Sequence, residues 1–213
     1  MSIRSAEDPA SGYFANERAD VLGMLAPPAG RVLDVGCGAG ATARILRDRG
    51  ATSLTGIELV PEAAALARER FDEVLVGTVE SVLPALEGPF DAFVCLDVLE
   101  HLADPEAVVA ELRSRAAPGA QLLISVPNAR HLSLVWDLVA HGTFGYTDWG
   151  HRDRTHLRWF TRRDIEALAE RTGWHVVETR HAGLGRSRGL VRVGGRRVTE
   201  FVTGQWFVRA VAR

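Results

Sequence analysis

The sequence predicts an α/β fold, a mostly parallel sheet with helices on both faces, and three observations carry this. Short apolar runs alternate with segments of helical spacing along most of the chain. The first run, RVLDV at 31–35, breaks into a glycine cluster, as a buried strand does where it enters a tight turn. The last two apolar runs have no clear helix between them, so at least one is expected to run antiparallel, because a parallel pair needs a crossover.

The elements follow in order. After the glycines, ATARILRDRG has helical spacing and stops at Gly50. SLTGIEL (53–59) reads as the second strand, and Pro61 suits the first position of the helix PEAAALARERF. EVLVG (73–77) and FDAFVCL (90–96) are the third and fourth strands. Asp104 and Pro105 make a helix start, cap then first-turn proline, and that helix turns Val108, Val109 and Leu112 inward before APGA ends it. QLLISVP (121–127) is the fifth strand. After a long irregular stretch, Thr161 and Asp164 form a capping box, with Asp in the usual place of Glu, that opens RRDIEALAERTG. WHVVETR and QWFVRAVAR close the sheet. The 213 residues suit one domain, 1–213, with an acceptor-covering insertion at about 129–160.

Composition narrows the function. With 46% hydrophobic and 24% charged residues the chain reads as globular, and a net charge of −2 gives no field that steers it toward nucleic acid or an anionic membrane. All 25 basic residues are Arg, which with abundant Ala and Gly reads as codon bias. No apolar run approaches the ~20 residues that cross a bilayer, and the first residues carry no secretory apolar core, so a cytoplasmic location is expected. Cys37 and Cys95 are expected to be reduced.

Chemistry concentrates at the carboxyl ends of the strands, where ligands bind in such sheets. VLDVGCGAG sets Gly36, Gly38 and Gly40 in the first strand-to-helix turn. Gly36, Gly38 and Ala41 also fit a dinucleotide fingerprint, with Glu58 near its acidic position, so an NAD-dependent oxidoreductase is a real competitor. Asp34 separates the two readings. A carboxylate there repels a pyrophosphate but suits a ligand with an ammonium group, such as S-adenosylmethionine, and Glu58 suits ribose hydroxyls.

These residues, together with TGIEL (55–59), FDAFVCLDVLEHLADP (90–105) and APGAQLLISVPN (117–128), resemble the class I S-adenosylmethionine-dependent methyltransferases, and among them the ubiquinone-biosynthesis O-methyltransferases. The resemblance covers about half the chain. It implies a Rossmann-like seven-stranded sheet, mostly parallel, with the last strand pair antiparallel. It also implies that Asp34, Gly36, Cys37, Gly38, Gly40 and Glu58 form the cofactor loop, with Leu59 against the adenine and Leu96 beside the methionine end. Where the family usually shows Gly-Asp after the third strand, this chain has GTVES, so Thr78, Val79 or Glu80 takes over the adenine contact.

Methyl transfer from an activated sulfonium asks the protein to align the acceptor, exclude water and, where needed, remove a proton. Asp97, Glu100 and Asn128 match no metal spacing, so no metal is expected. His101 follows the fourth strand, where several small-molecule relatives carry a base. The segment WGHRDRTHLRWFT (149–161) lies where this fold grows a lid over the acceptor, and His156 is the first choice for general base, His101 the second. Tyr13, Phe14, Trp149, His151, Arg152 and Arg158 are the candidate acceptor-binding residues, the arginines for an anionic group. Arg180 to Arg197 is a second basic stretch, with a candidate hairpin at Gly194-Gly195. The motif of the DNA amino-methylating enzymes is absent, which disfavours nucleic acid. The expected activity is metal-independent O-methylation of a small molecule, with N-methylation the near alternative and a non-catalytic cofactor-binding subunit the non-enzyme one.

Overall fold

The computed structural model describes residues 18–182 and 198–213. Seven strands form one sheet in the order β3-β2-β1-β4-β5-β7-β6. They are β1 (Gly30–Val35), β2 (Ala51–Glu58), β3 (Glu73–Val76), β4 (Phe90–Leu96), β5 (Ala116–Pro127), β6 (Trp174–Ala182) and β7 (Gln205–Ala212). The first five are mutually parallel, and β7 enters antiparallel between β5 and β6. Only β7 is therefore reversed, and the last two strands pair antiparallel as the sequence predicts.

Helices cover both faces. On one face α1 (Ala19–Leu22), α2 (Ala43–Asp48) and α3 (Pro61–Ala67) pack Leu22, Leu46 and Ala64 against Val32, Leu54, Val94 and Leu123. On the other, α5 (Pro105–Ser114) and α7 (Arg162–Arg171) pack Val109, Leu112, Ile165 and Leu168 against Leu33, Phe93, Leu122 and Ile124. Neighbouring strand residues such as Val32 and Leu33 enter opposite cores, which is why these strands read as continuous apolar runs. The short helices α4 (Val79–Val82) and α6 (Leu132–Trp136) complete the set named here.

The caps form as the sequence implies. Asp104 accepts from the Ala107 amide at 3.0 Å, and Thr161 and Asp164 make the reciprocal capping box that starts α7. One boundary differs. The APGA segment, expected as a turn before the fifth strand, lies inside β5. Phe90 pairs with Ala116 but Ala92 with Gln121, so the strand absorbs Pro118 and Gly119 as a bulge. Between β5 and α7 the chain is mostly irregular, with α6 and two short turns. No helix among the described residues is long and apolar enough to cross a membrane.

Candidate active site

The strand order reverses direction between β1 and β4, and the glycine turn leaves β1 at that switch point. Gly36, Gly38 and Gly40 all have φ between 56° and 78°, which L side chains rarely adopt. At Gly36 a Cβ would also lie 2.6 Å from Val98 Cγ2, so the residues after β4 press directly on the loop. Glu58, at the end of β2 and only 6% exposed, ties the site together. Its Oε2 accepts from the Gly38 amide and its Oε1 from the Val60 amide, each at 2.8 Å. A carboxylate has lone pairs beyond these two bonds for a ligand's hydroxyls.

Asp34 lies beneath the loop rather than at its mouth. It is 2% exposed and accepts from the Thr42 hydroxyl at 2.6 Å. Burial, only partly offset by the Thr42 bond and reinforced by the charge of Glu58, pushes its carboxyl up to about 7. The Cys37 side chain belongs to the core and not to the ligand side. It packs toward Gly56 and Phe71, and burial raises its thiol well above the usual range. Leu59 is exposed beside Glu58, and Leu96 is partly buried at the end of β4. Thr78 caps α4, accepting from the Ser81 amide; Val79 is buried and Glu80 exposed.

Beyond β4 the chain turns sharply at Asp97, which holds φ of 56°. A network that the sequence reading missed holds it there. Its carboxylate accepts from Arg18, from the Ser125 hydroxyl at 2.8 Å and from the Gln205 amide at 3.0 Å. The four residues are far apart in sequence; the only local signal was an Asp directly after an apolar strand.

Both candidate bases lie next to this turn. The rings of His101 and His156 meet edge-on with centroids 4.8 Å apart. His156 is buried. Burial lowers the pKa of both imidazoles. Close to both lies Glu100, 1% exposed, with both carboxylate oxygens unpartnered. Burial, with the nearby charge of Asp97, pushes its carboxyl well above the usual range. Glu100, His101 and His156 offer ligand atoms all within 4.8 Å of one another. Sequence spacing hid this grouping, because His156 comes from the segment before α7.

The remaining acceptor candidates are scattered. Trp149 is 77% exposed. His151 contacts the Gly204 carbonyl at 2.6 Å and stacks on His131. Arg152 pairs with Asp137, and Arg158 donates to the Ala103 carbonyl. Both guanidinium groups expected to grip an anion are thus engaged within the protein, because the turns around them bring an acidic group and a carbonyl into reach. Phe160 is core. Tyr13 and Phe14, the Gly194-Gly195 hairpin and the basic stretch after Ala182 lie outside the described residues; Arg180 pairs with Glu178 on β6.

A family model described as a methyltransferase domain matches residues 11–179. The ubiquinone biosynthesis O-methyltransferase of Xanthomonas axonopodis pv. citri is 37% identical over 114 residues, 51% of this chain and 47% of that protein. The chain spans about half the length of the curated relatives it matches. A SAM-dependent methyltransferase from Archaeoglobus fulgidus superposes with a TM-score of 0.69 at 16% identity over 91% of both chains. A magnesium protoporphyrin IX methyltransferase from Synechocystis, with bound SAH, does so at 0.61 and 19% identity over 100% of this chain and 89% of that one. At these identities the two structures speak for a common fold. By its family match and its fold, the chain belongs to the class I methyltransferase-domain family, whose cofactor is S-adenosylmethionine.

Proposed function

We propose that this chain transfers the methyl group of S-adenosylmethionine to a hydroxyl of a small molecule, as a single domain in which residues 129–160 cover the acceptor. One observation carries the reading. The left-handed glycine loop, stitched to Glu58, shares a sheet edge with the His101–His156 pair, and Val98 links the two by leaning on Gly36. In this reading Glu58 holds the ribose, the exposed Leu59 covers the adenine with Thr78, Val79 and Glu80 at its rim, and Leu96 lines the methionine end. Asp34 answers the ammonium through the floor of the loop. An ammonium bound there favours the ionised form of Asp34, whereas a pyrophosphate opposes it, which favours this cofactor over a dinucleotide. The acceptor hydroxyl loses its proton at the His101–His156 pair, and the names of the half-length relatives favour oxygen over nitrogen as the methylated atom.

Isothermal titration with S-adenosylhomocysteine and with NAD tests the cofactor half. Transfer of labelled methyl to matched panels of small phenols and amines tests the acceptor half. Binding of NAD alone, or transfer to amines alone, overturns the corresponding half.

A further inference from the structure

We propose that Glu100, His101 and His156 bind a divalent transition-metal ion of the zinc or iron(II) class, next to the cofactor loop. This departs from the expectation of no metal, which rested on spacing alone.

The argument begins with Glu100. A carboxylate taken out of water without hydrogen bonds is costly, and such groups are normally paired, bonded or on a metal. Here both oxygens are buried and lack partners, and the carboxylate lies within 4.8 Å of a ring nitrogen of each of two imidazoles. Among the described residues no cation bonds to these oxygens: Arg18, whose charge is felt at Glu100, is bonded to Asp97, and Arg158 to the Ala103 carbonyl. A cation in the middle of the cluster supplies the missing partner for both oxygens.

The His101 imidazole is prepared as a ligand. His101 Nδ1 lies 3.3 Å from the Thr155 carbonyl and 3.1 Å from its hydroxyl. That hydroxyl's single proton goes to Asp153 at 2.7 Å. Nδ1 must therefore be the protonated nitrogen, and the lone pair is left on Nε2. A ring nitrogen bonded to a carbonyl or carboxylate while the other is left bare is the usual support for a metal-binding histidine.

Size and chemistry agree. Ligand atoms at ~2.1 Å from an ion lie at most about 4.2 Å apart. The cluster, with its atoms within 4.8 Å, needs only a small contraction. Two nitrogens and one carboxylate suit zinc or iron(II) rather than magnesium or calcium, which prefer oxygen. Three protein ligands leave a coordination position open, as in catalytic rather than structural sites. Where the proposed methyl transfer holds, an ion here would replace the imidazoles as the means of lowering the acceptor hydroxyl's pKa, and the proton would leave to solvent, because both imidazole lone pairs are then on the ion. The ion site itself stands independently of that reading.

The test is titration of the tag-free, chelator-treated chain with zinc chloride, followed by calorimetry, with cobalt(II) absorption as a second readout of coordination. Magnesium serves as the comparison, and far-UV circular dichroism reports folding. We expect one zinc per chain, no comparable magnesium binding, and at least about tenfold weaker zinc binding in Glu100→Gln, His101→Ala and His156→Ala. His101, less buried than the other two, keeps the test usable if either of them is needed for folding. Failure of the folded wild-type chain to bind zinc at millimolar concentration, or zinc affinity unchanged in a folded variant, overturns the proposal. Zinc binding without S-adenosylhomocysteine binding leaves the ion site standing and removes the methyl-transfer reading.

Discussion

The amide of Gly38 donates to Oε2 of Glu58 across 2.8 Å, from the first strand-to-helix turn to the end of the neighbouring strand. The same carboxylate holds Val60, so one side chain shapes the loop and offers its remaining lone pairs to whatever the loop binds. Glu58→Ala is expected to lose both roles. Hydrogen bonds to a charged group are worth ~1.5–3 kcal/mol, which corresponds to roughly 10- to 150-fold in S-adenosylhomocysteine affinity. Calorimetry measures the affinity, and a urea melt the accompanying loss of stability. Unchanged affinity means that the ribose is held elsewhere.

Asp34 makes stability depend on pH in the opposite sense to a salt-bridged carboxylate. Its folded value of about 7 lies above the ordinary 3.8, so the folded state holds a proton that the unfolded state has released. The stability this contributes is fully present below pH 3.8 and is lost as pH rises through 7. Asp34→Asn, which keeps an acceptor for Thr42, removes that loss. The ligand-free variant is expected to melt higher than wild type at pH 8.5, by on the order of a few kcal/mol, with the gap narrowing toward pH 5, while cofactor affinity falls. A variant less stable than wild type at both pH values would show that the carboxylate is charged and well paired.

His156→Ala is expected to cut methyl transfer by at least about tenfold while leaving S-adenosylhomocysteine affinity nearly intact. Its ring packs edge-on against His101. Joint loss of affinity and turnover reassigns His156 to the fold or the cofactor site; full turnover removes it from the chemistry.

Gly36→Ala combines two costs. The left-handed backbone alone disfavours a side chain by ~1–2 kcal/mol, and the new methyl overlaps Val98. Adding Val98→Ala relieves the overlap but not the backbone strain. Urea melts of both single variants and the double should show partial, not full, recovery. Strict additivity would mean that Val98 does not press on the loop in solution.

The strands, the two caps and the glycine turn were legible in the sequence because local rules decide them. Val32 and Leu33 needed only burial on both faces, and Thr161 with Asp164 needed only three-residue spacing. The β5 boundary was not legible, because Pro118 and Gly119 read as a turn while pairing with β4 on either side keeps them in the strand. The partners of Arg152 and Asp97 were hidden for a different reason. Asp137 reaches Arg152, and Ser125 and Gln205 reach Asp97, only after the irregular segment and β7 have folded onto the sheet edge. The same holds for Glu100, whose surroundings come from Leu157 and Arg158, the amides of which bond to its carbonyl.

The position of β7 governs how the protein emerges during synthesis. Residues 205–212 lie between two strands that precede them, and among the described residues β6 pairs with no other strand. Until those residues leave the ribosome, the outer edge of β5 carries unpaired backbone groups beside apolar Leu122 and Ile124, and β6 has no strand partner, only side-chain contacts such as those of Trp174 with Phe93 and of Thr179 with Glu166. An open apolar edge of this kind invites pairing with another nascent chain. Protection of the β5 edge thus waits for the arrival of β7, and a chain stopped before Gln205 is expected to be a substrate for holdase chaperones even though the cofactor loop, built entirely from earlier residues, is already in place.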